Sequence, residues 1–150
     1  MVSPVDRELV GRVAAHNAAR HAAVVAGEHD DVERLDREAE ITFGDPASRL
    51  VVYGTLRPGR SNHHLVADLG AWEPATLWGT VGSWEGYPIL RPGAGAPVPA
   101  DLVTSSTLAA HLDRLDEFEG PAYRRELVVV ETEDGAVVAQ CYVDATGTIS

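Results

Sequence analysis

Apolar residues recur with a helical period in the first part of the chain and fall into strand-like runs in the rest. Residues 8–26 are rich in Ala and Val, with Leu9, Val13 and Ala14 near one face. Ser3-Pro4-Val5-Asp6 predicts the start of that helix, with Ser as N-cap and Pro in the first helical position, and Gly27 predicts its end. Residues 31–40 alternate acids and arginines at helical spacing and offer little apolar surface beyond Val32 and Leu35. They predict a second, solvated helix running into a linker at Phe43-Gly44-Asp45-Pro46. Residues 1–45 therefore form a helical extension and residues 46–150 the main domain.

The main domain reads largely as strands. Leu50-Val51-Val52-Tyr53 is a continuous apolar run, as in a strand covered on both faces. Asn62 is placed to cap a short helix reaching about Leu69, and residues 72–84 and Tyr87-Pro88-Ile89-Leu90 read as strands. Residues 91–97 are a Pro- and Gly-rich loop, and residues 98–103 a strand weakened by Pro99. Residues 127–131 and 136–143 flank Thr132-Glu133-Asp134-Gly135, where Asp-Gly signals a hairpin.

One helix interrupts these strands. From Thr107 the pattern is helical, with Thr104, Ser105 or Ser106 as N-cap and Gly120 as the stop. Leu108, Leu112 and Leu115 form the core-facing stripe at i, i+4 and i+7. The next position on that stripe is Glu119, which projects within roughly 20° of Leu108 at about 100° per residue. Asp113, Arg114 and Glu117 lie off the stripe, on the solvated side. Asp116, Glu117 and Glu119 crowd the last turn, where the helix dipole favours cations. Burial, neighbouring negative charge and the dipole all disfavour ionisation, so the pKa of Glu119 is expected to rise. Such a carboxyl is suited to moving protons near neutrality. The competing interpretation is a helix that ends earlier, leaving Glu119 a surface acid or a partner of Arg124.

The apolar run at Tyr53 ends in Gly54, a residue that permits left-handed backbone and close approach of a ligand. Free N–H groups after such a strand form an anion-binding nest, to which Arg57 adds charge before Pro58-Gly59 turns the chain away. An ordinary strand and turn would look the same if taken alone.

Taken together, Val-Tyr-Gly-Thr-Leu-Arg-x-Gly at 52–59, Asn62-His63-x-Leu65, and Leu-Asp-x-x-Glu-Gly-x-x-Tyr-x-Arg at 115–125 carry more information. In order and spacing they resemble the gamma-glutamylcyclotransferase-like family over residues 49–143. The resemblance implies an α+β fold: a compact mixed β-barrel with flanking helices. It also implies a metal- and cofactor-independent reaction in which the α-amine of a γ-glutamyl group attacks its own side-chain amide. That reaction releases 5-oxoproline and an amine. Glu119 matches the family's catalytic glutamate, and the loop of Tyr53, Gly54, Thr55, Leu56 and Arg57 matches the part that receives the glutamyl group. Tyr123 is a candidate for the pocket wall or for a hydrogen bond to substrate. Residues 91–103 depart from the Gly-x-x-Tyr strand that often precedes the catalytic helix in this family, which leaves the far wall of the pocket unassigned. The alternative from another class is a non-catalytic small-molecule-binding module on the same fold.

Composition narrows the partners. The formal net charge is −11, from 12 basic and 23 acidic residues, and every basic residue is Arg. That surface argues against nucleic acid or an anionic membrane, and it is compatible with a cationic leaving group. Arg-only usage with abundant Ala, Val and Gly points to a bacterial, high-GC source. The single cysteine, Cys141, lies in an apolar strand pattern and reads as a buried, inert thiol. The absence of a leader or a long apolar span makes the cytoplasm the expected compartment. His63 with His64, and His16 with His21, lack metal-ligand spacing, so no metal site is expected. Trp72, Trp78 and Trp84 read as core or pocket wall. The extension at 1–45 has three open roles, packing on the barrel, forming a homodimer through its helices, or remaining partly mobile, with a substrate lid less favoured.

Overall fold

The computed structural model describes residues 7–93 and 95–147. The predicted helix start at Ser3-Pro4-Val5-Asp6 lies outside the described residues. Helix α1 (Arg7–Ala26) and helix α2 (His29–Thr42) form an antiparallel pair. Gly27 joins them at φ 73°, with Glu28 N–H bonded to Ala23 C=O (2.9 Å) and Gly27 N–H to Val24 C=O (3.1 Å). This is the Schellman arrangement that a glycine at this position permits.

Six strands follow: β1 (Arg49–Val52), β2 (Trp72–Trp84), β3 (Tyr87–Pro92), β4 (Ala96–Thr104), β5 (Tyr123–Thr132) and β6 (Gly135–Asp144). Helix α3 (Leu112–Glu119) enters between β4 and β5. The sheet order is β3-β2-β4-β1-β6-β5, and a β2–β5 pairing closes five strands into a mixed barrel with β3 as an outer flap. Two joins are narrow. β1 meets β6 in parallel at Leu50 opposite Gln140, and β2 meets β5 at Thr76 opposite Glu131.

Strand β1 is covered on both faces, as its unbroken apolar run predicts. Val51 faces the barrel interior with Leu77, Leu90, Leu102, Val130 and Cys141. Leu50 and Val52 face outward into a second cluster with Val66, Leu69, Leu108, Leu115 and Tyr142. Cys141 is fully buried, and burial pushes its thiol pKa up, consistent with an inert side chain.

Strand β4 is longer than the predicted 98–103 and absorbs both prolines. Pro97 and Pro99 lie in the part of β4 that pairs only with β2, beyond the end of its β1 pairing at Asp101. A missing N–H costs little on a side with no neighbour. The region after Asn62 is two short 3-10 turns, His63–Leu65 and Ala67–Leu69, rather than one helix. The Asn62 side chain does not cap them; it donates to Thr55 Oγ1 at 2.9 Å.

The N-terminal pair packs on the barrel. The Asn17 amide donates to Leu127 C=O (2.8 Å) and accepts from Leu127 N–H (3.2 Å), covering backbone on the outer side of β5. Arg20 holds Asp36 across the pair at 2.7 Å. Below the pair, Gln140 donates to Ala47 C=O (3.0 Å) and Arg49 to Val138 C=O (2.8 Å). Among the described residues no helix is long and apolar enough to cross a membrane.

Candidate active site

A cavity of about 730 Å³ opens where the end of β1 faces the last turn of α3. One wall is the run from Val51 to Leu56. The other is Phe118, Glu119, Pro121, Ala122 and Tyr123, with Tyr142 from β6. The tip of the β2–β3 hairpin, Trp84, Glu85, Tyr87 and Pro88, stands at its edge.

Glu119 reaches this cavity through a helix shorter than predicted. Residues Leu108–His111 form a 3-10 turn with Thr107 as its N-cap, and the α-helix begins at Leu112. Glu119 is seven residues after Leu112 and four after Leu115, so α3 alone places all three on one face. Leu108 and Leu115 are buried, and Asp113, Arg114 and Glu117 are exposed, as the stripe requires. Gly120 ends the helix at φ 75°, with its N–H on Asp116 C=O at 3.0 Å.

Burial pushes the Glu119 carboxyl pKa up to about 7. Desolvation is the cause, and the expected contribution from neighbouring acids is not seen. The reason is that Asp116 is neutralised: Arg125 grips it through two hydrogen bonds (2.9 and 3.1 Å) and Tyr142 donates a third at 2.7 Å. Nor is Glu119 paired with Arg124, whose ion pair is with Glu126 at 3.4 Å. Among the described residues the Glu119 carboxyl has no ion-pair partner.

Three of the four cavity tyrosines donate elsewhere than to Glu119. Tyr53 donates to Tyr142 C=O (2.7 Å) and accepts from Leu90 N–H (3.0 Å). Tyr123 donates to Pro88 C=O at 2.8 Å, and burial, then the nearby Glu119 charge, push its pKa up to about 12. Tyr142 donates to Asp116. Tyr53 and Tyr123 therefore stitch the β3 flap to the cavity walls and serve as scaffold for the site.

The loop after β1 supplies donors. Arg57 N–H bonds Gly54 C=O at 3.2 Å, and Asn62 N–H bonds Thr55 C=O at 2.9 Å, so the loop is held at both ends. Gly54, Thr55 and Leu56 line the cavity, and their N–H groups have no hydrogen-bond partner among the described residues. Gly54 is not in a left-handed conformation; a Cβ there would sit 3.0 Å from Pro88 Cγ, so the proline ring would have to give by a few tenths of an ångström. Arg57 departs from its expected place. Its guanidinium binds Asp101 at 2.7 Å and does not line the cavity, so it braces the loop against β4.

Tyr142, Phe118, Trp84, Glu85 and Tyr87 also line the cavity and were not singled out for it, Trp84 excepted as a possible wall. The signal for the hairpin tip was Glu85-Gly86, a two-residue turn whose φ values are 50° and 85°. Among the described residues no group of three or more His, Cys, Asp or Glu side chains is placed to hold a metal ion.

Several solved structures share the fold, three of which follow. An AIG2-like protein from Mus musculus is 24% identical, with 66% of this chain and 78% of that one covered and a TM-score of 0.55. YkqA from Bacillus subtilis is 27% identical over 65% of this chain and 36% of that one, with a TM-score of 0.52. A protein from Arabidopsis thaliana solved in solution is 21% identical over 67% and 70%, with a TM-score of 0.55. No curated protein matches the chain significantly. The sequence profile described as "Gamma-glutamyl cyclotransferase, AIG2-like" matches residues 50–147, nearly all of the barrel and its cavity. With a closed mixed barrel, a desolvated glutamate and a glycine loop all inside that match, the chain belongs to the AIG2-like gamma-glutamyl cyclotransferase family.

Proposed function

We propose that the protein is a cyclotransferase that closes a γ-glutamyl amide onto its own α-amine, releasing 5-oxoproline and the amine. The observation that carries this is the Glu119 carboxyl, without an ion-pair partner among the described residues and with its pKa pushed up to about 7, lining one cavity with Gly54, Thr55 and Leu56, whose N–H groups have no hydrogen-bond partner among the described residues.

An α-ammonium cannot attack a carbonyl until it loses a proton. The ionised Glu119 takes that proton, and the freed amine nitrogen forms a bond to the side-chain amide carbon. Negative charge then develops on the amide oxygen, where fixed backbone N–H groups stabilise it without reorganising. As the intermediate collapses, the C–N bond to the leaving group breaks and Glu119, now the acid, returns its proton to the departing nitrogen; the carboxylate so regenerated takes the second proton of the attacking nitrogen, leaving the ring with one N–H, and passes it to the released amine, which departs as an ammonium. A carboxyl with a pKa near 7 is matched to both steps. The substrate brings its own nucleophile, so the protein's task is to fold the glutamyl chain into attack geometry. The chemistry as written calls for no metal, and no serine or cysteine attacks.

The test is 5-oxoproline release from a panel of γ-glutamyl amides by the wild type and by Glu119→Gln. The expected result is turnover by the wild type and a loss of about 10²- to 10⁴-fold in the variant. Equal turnover by Glu119→Gln would remove Glu119 from the mechanism. Absence of turnover on every amide, with ligand still bound in the cavity, would leave a binding module.

A further inference from the structure

The cavity carries a charge pattern that the glutamyl chemistry does not use. Among its described lining residues are two carboxylates, Glu85 and Glu119, and no Arg or His. Glu119 is committed to the reacting atoms; Glu85 is not. It opens the two-residue turn between β2 and β3 at φ 50°, a conformation that Asn or Gly adopts more cheaply than Glu. A carboxylate held there at a local cost marks a position where its charge is useful.

Its surroundings are aromatic. Trp84 and Tyr87 are directly paired across the hairpin, which puts both rings on one face, and both line the cavity. Phe118 lines it from α3. These rings remain 36%, 52% and 45% exposed, so the cavity edge is a patch of large apolar faces left in water beside one negative charge. Ring faces attract organic cations through their quadrupole, and a carboxylate adds a formal charge. The same edge repels a carboxylate.

We propose that Trp84, Glu85, Tyr87 and Phe118 form a cation-recognising edge that selects the leaving group: an amine bearing a second, protonated nitrogen and no carboxylate, a diamine rather than an amino acid. This rests on the cyclotransferase reading above. The glutamyl head occupies the deep end beside Gly54, Thr55 and Leu56, and the amine extends outward to the hairpin tip.

Two experiments separate the edge from the chemistry. In the first, free cadaverine and free 1,5-pentanediol, its neutral analogue, are titrated against the wild-type protein, Glu85→Gln and Glu85→Asn by tryptophan fluorescence and by NMR. Cadaverine is expected to bind the wild type about tenfold more tightly than pentanediol and to weaken about tenfold in both variants. Glu85→Asn suits the left-handed backbone, so its loss of affinity reports charge and not misfolding. Cadaverine binding that is absent, or indifferent to Glu85, overturns the proposal whether or not the protein turns over. In the second, kcat/KM is compared for γ-glutamyl amides of cadaverine, n-hexylamine and aminohexanoate. Cadaverine is expected to lead its neutral isostere by about tenfold, with the ratio collapsing toward one in Glu85→Gln and shrinking as salt is raised. Equal or better turnover of the neutral or carboxylate amide by the wild type overturns it. Cadaverine binding that depends on Glu85, with 5-oxoproline released from none of the amides, upholds the cation site and rejects the cyclotransferase reading.

Discussion

The hydroxyl of Tyr142 donates to Oδ1 of Asp116 at 2.7 Å, one helical turn before Glu119. Asp116 is also held by Arg125, which binds Gln140 in turn, and Gln140 reaches Ala47 C=O. Through this chain of contacts the last turn of α3 is fastened to β5, β6 and the turn before β1. Among the described residues the Glu119 carboxyl has no ion-pair partner, while its neighbour three residues earlier takes up the nearby cation and hydroxyl.

Asp116→Asn is expected to lower stability by about 1–3 kcal/mol, because Arg125 and Tyr142 lose an ionised acceptor in a partly buried place. It should also reduce kcat more than KM, by releasing the turn that carries Glu119. Burial alone would raise the Asp116 pKa, but the hydrogen bonds from Arg125 and Tyr142 outweigh it, and the net shift is downward. Its stabilising contribution is therefore present above the unfolded carboxyl pKa of about 4 and fades as pH falls through the lower folded value. Chemical denaturation of both proteins from pH 7 down to about 3 checks this: their stabilities should converge at the acid end.

Glu119 has the opposite pH dependence. Its folded pKa, about 7, lies above its unfolded value, so the folded state holds the proton more tightly. Stability is greatest below the unfolded pKa and declines as pH rises through 7, by up to about 3 kcal/mol. Glu119→Gln should abolish that decline. Thermal melts from about pH 4 to about pH 8 span the window between the unfolded value of 4.5 and the folded value of about 7, and are expected to show the variant overtaking the wild type on the alkaline side. Wild-type kcat/KM should fall below pH 7 as the base is protonated. A flat melting profile for both proteins would contradict the burial of this carboxyl.

Arg57 and Asp101 offer a test of bracing against direct binding. Arg57→Ala and Asp101→Asn should each cost about 1–3 kcal/mol and each lower kcat/KM, with the double variant no worse than the poorer single. Were Arg57 a ligand for the substrate carboxylate, Asp101→Asn would free its guanidinium and improve KM.

Asn17→Ala leaves the Leu127 N–H and C=O without their side-chain partner, at an expected cost of about 2 kcal/mol in a denaturant titration. Asn17 lies outside the candidate active-site cavity, so kcat/KM should stay within about twofold of the wild type at 25 °C. A matching loss of turnover would tie the N-terminal pair to the chemistry.

The candidate base was legible in the sequence because its placement depends only on local periodicity. Glu119 shares a face with Leu112 and Leu115 inside α3, so mistaking the preceding 3-10 turn for α-helix did not misdirect it. The doubly covered β1 was legible for a similar reason, an apolar run with no alternation. What escaped were relationships between distant residues. The loop's arginine is bound by Asp101, 44 residues away, and the acid beside the base is neutralised from β5 and β6. The tight space at Gly54 comes from Pro88 on another strand. Spacing along a chain carries no information about such partners until the barrel closes. The family resemblance supplied the closure that periodicity could not.

The narrow joins of the barrel bear on the chemistry. At Leu50–Gln140 and at Thr76–Glu131 the strand ladder narrows between two leaves, which side chains also bridge: Tyr53 and Arg49 reach β6, Tyr123 reaches Pro88 and Gln140 reaches Ala47. One leaf holds β1 to β4 and the N–H donors; the other holds β5 and β6, with Tyr123 and Tyr142 and with Glu119 just ahead of β5. Glu119 and the N–H groups of Gly54, Thr55 and Leu56 thus stand on different leaves, and neither wall alone fixes the gap between them. A molecule bound against both walls would lace the leaves together, so these two seams are expected to stiffen when the cavity is filled.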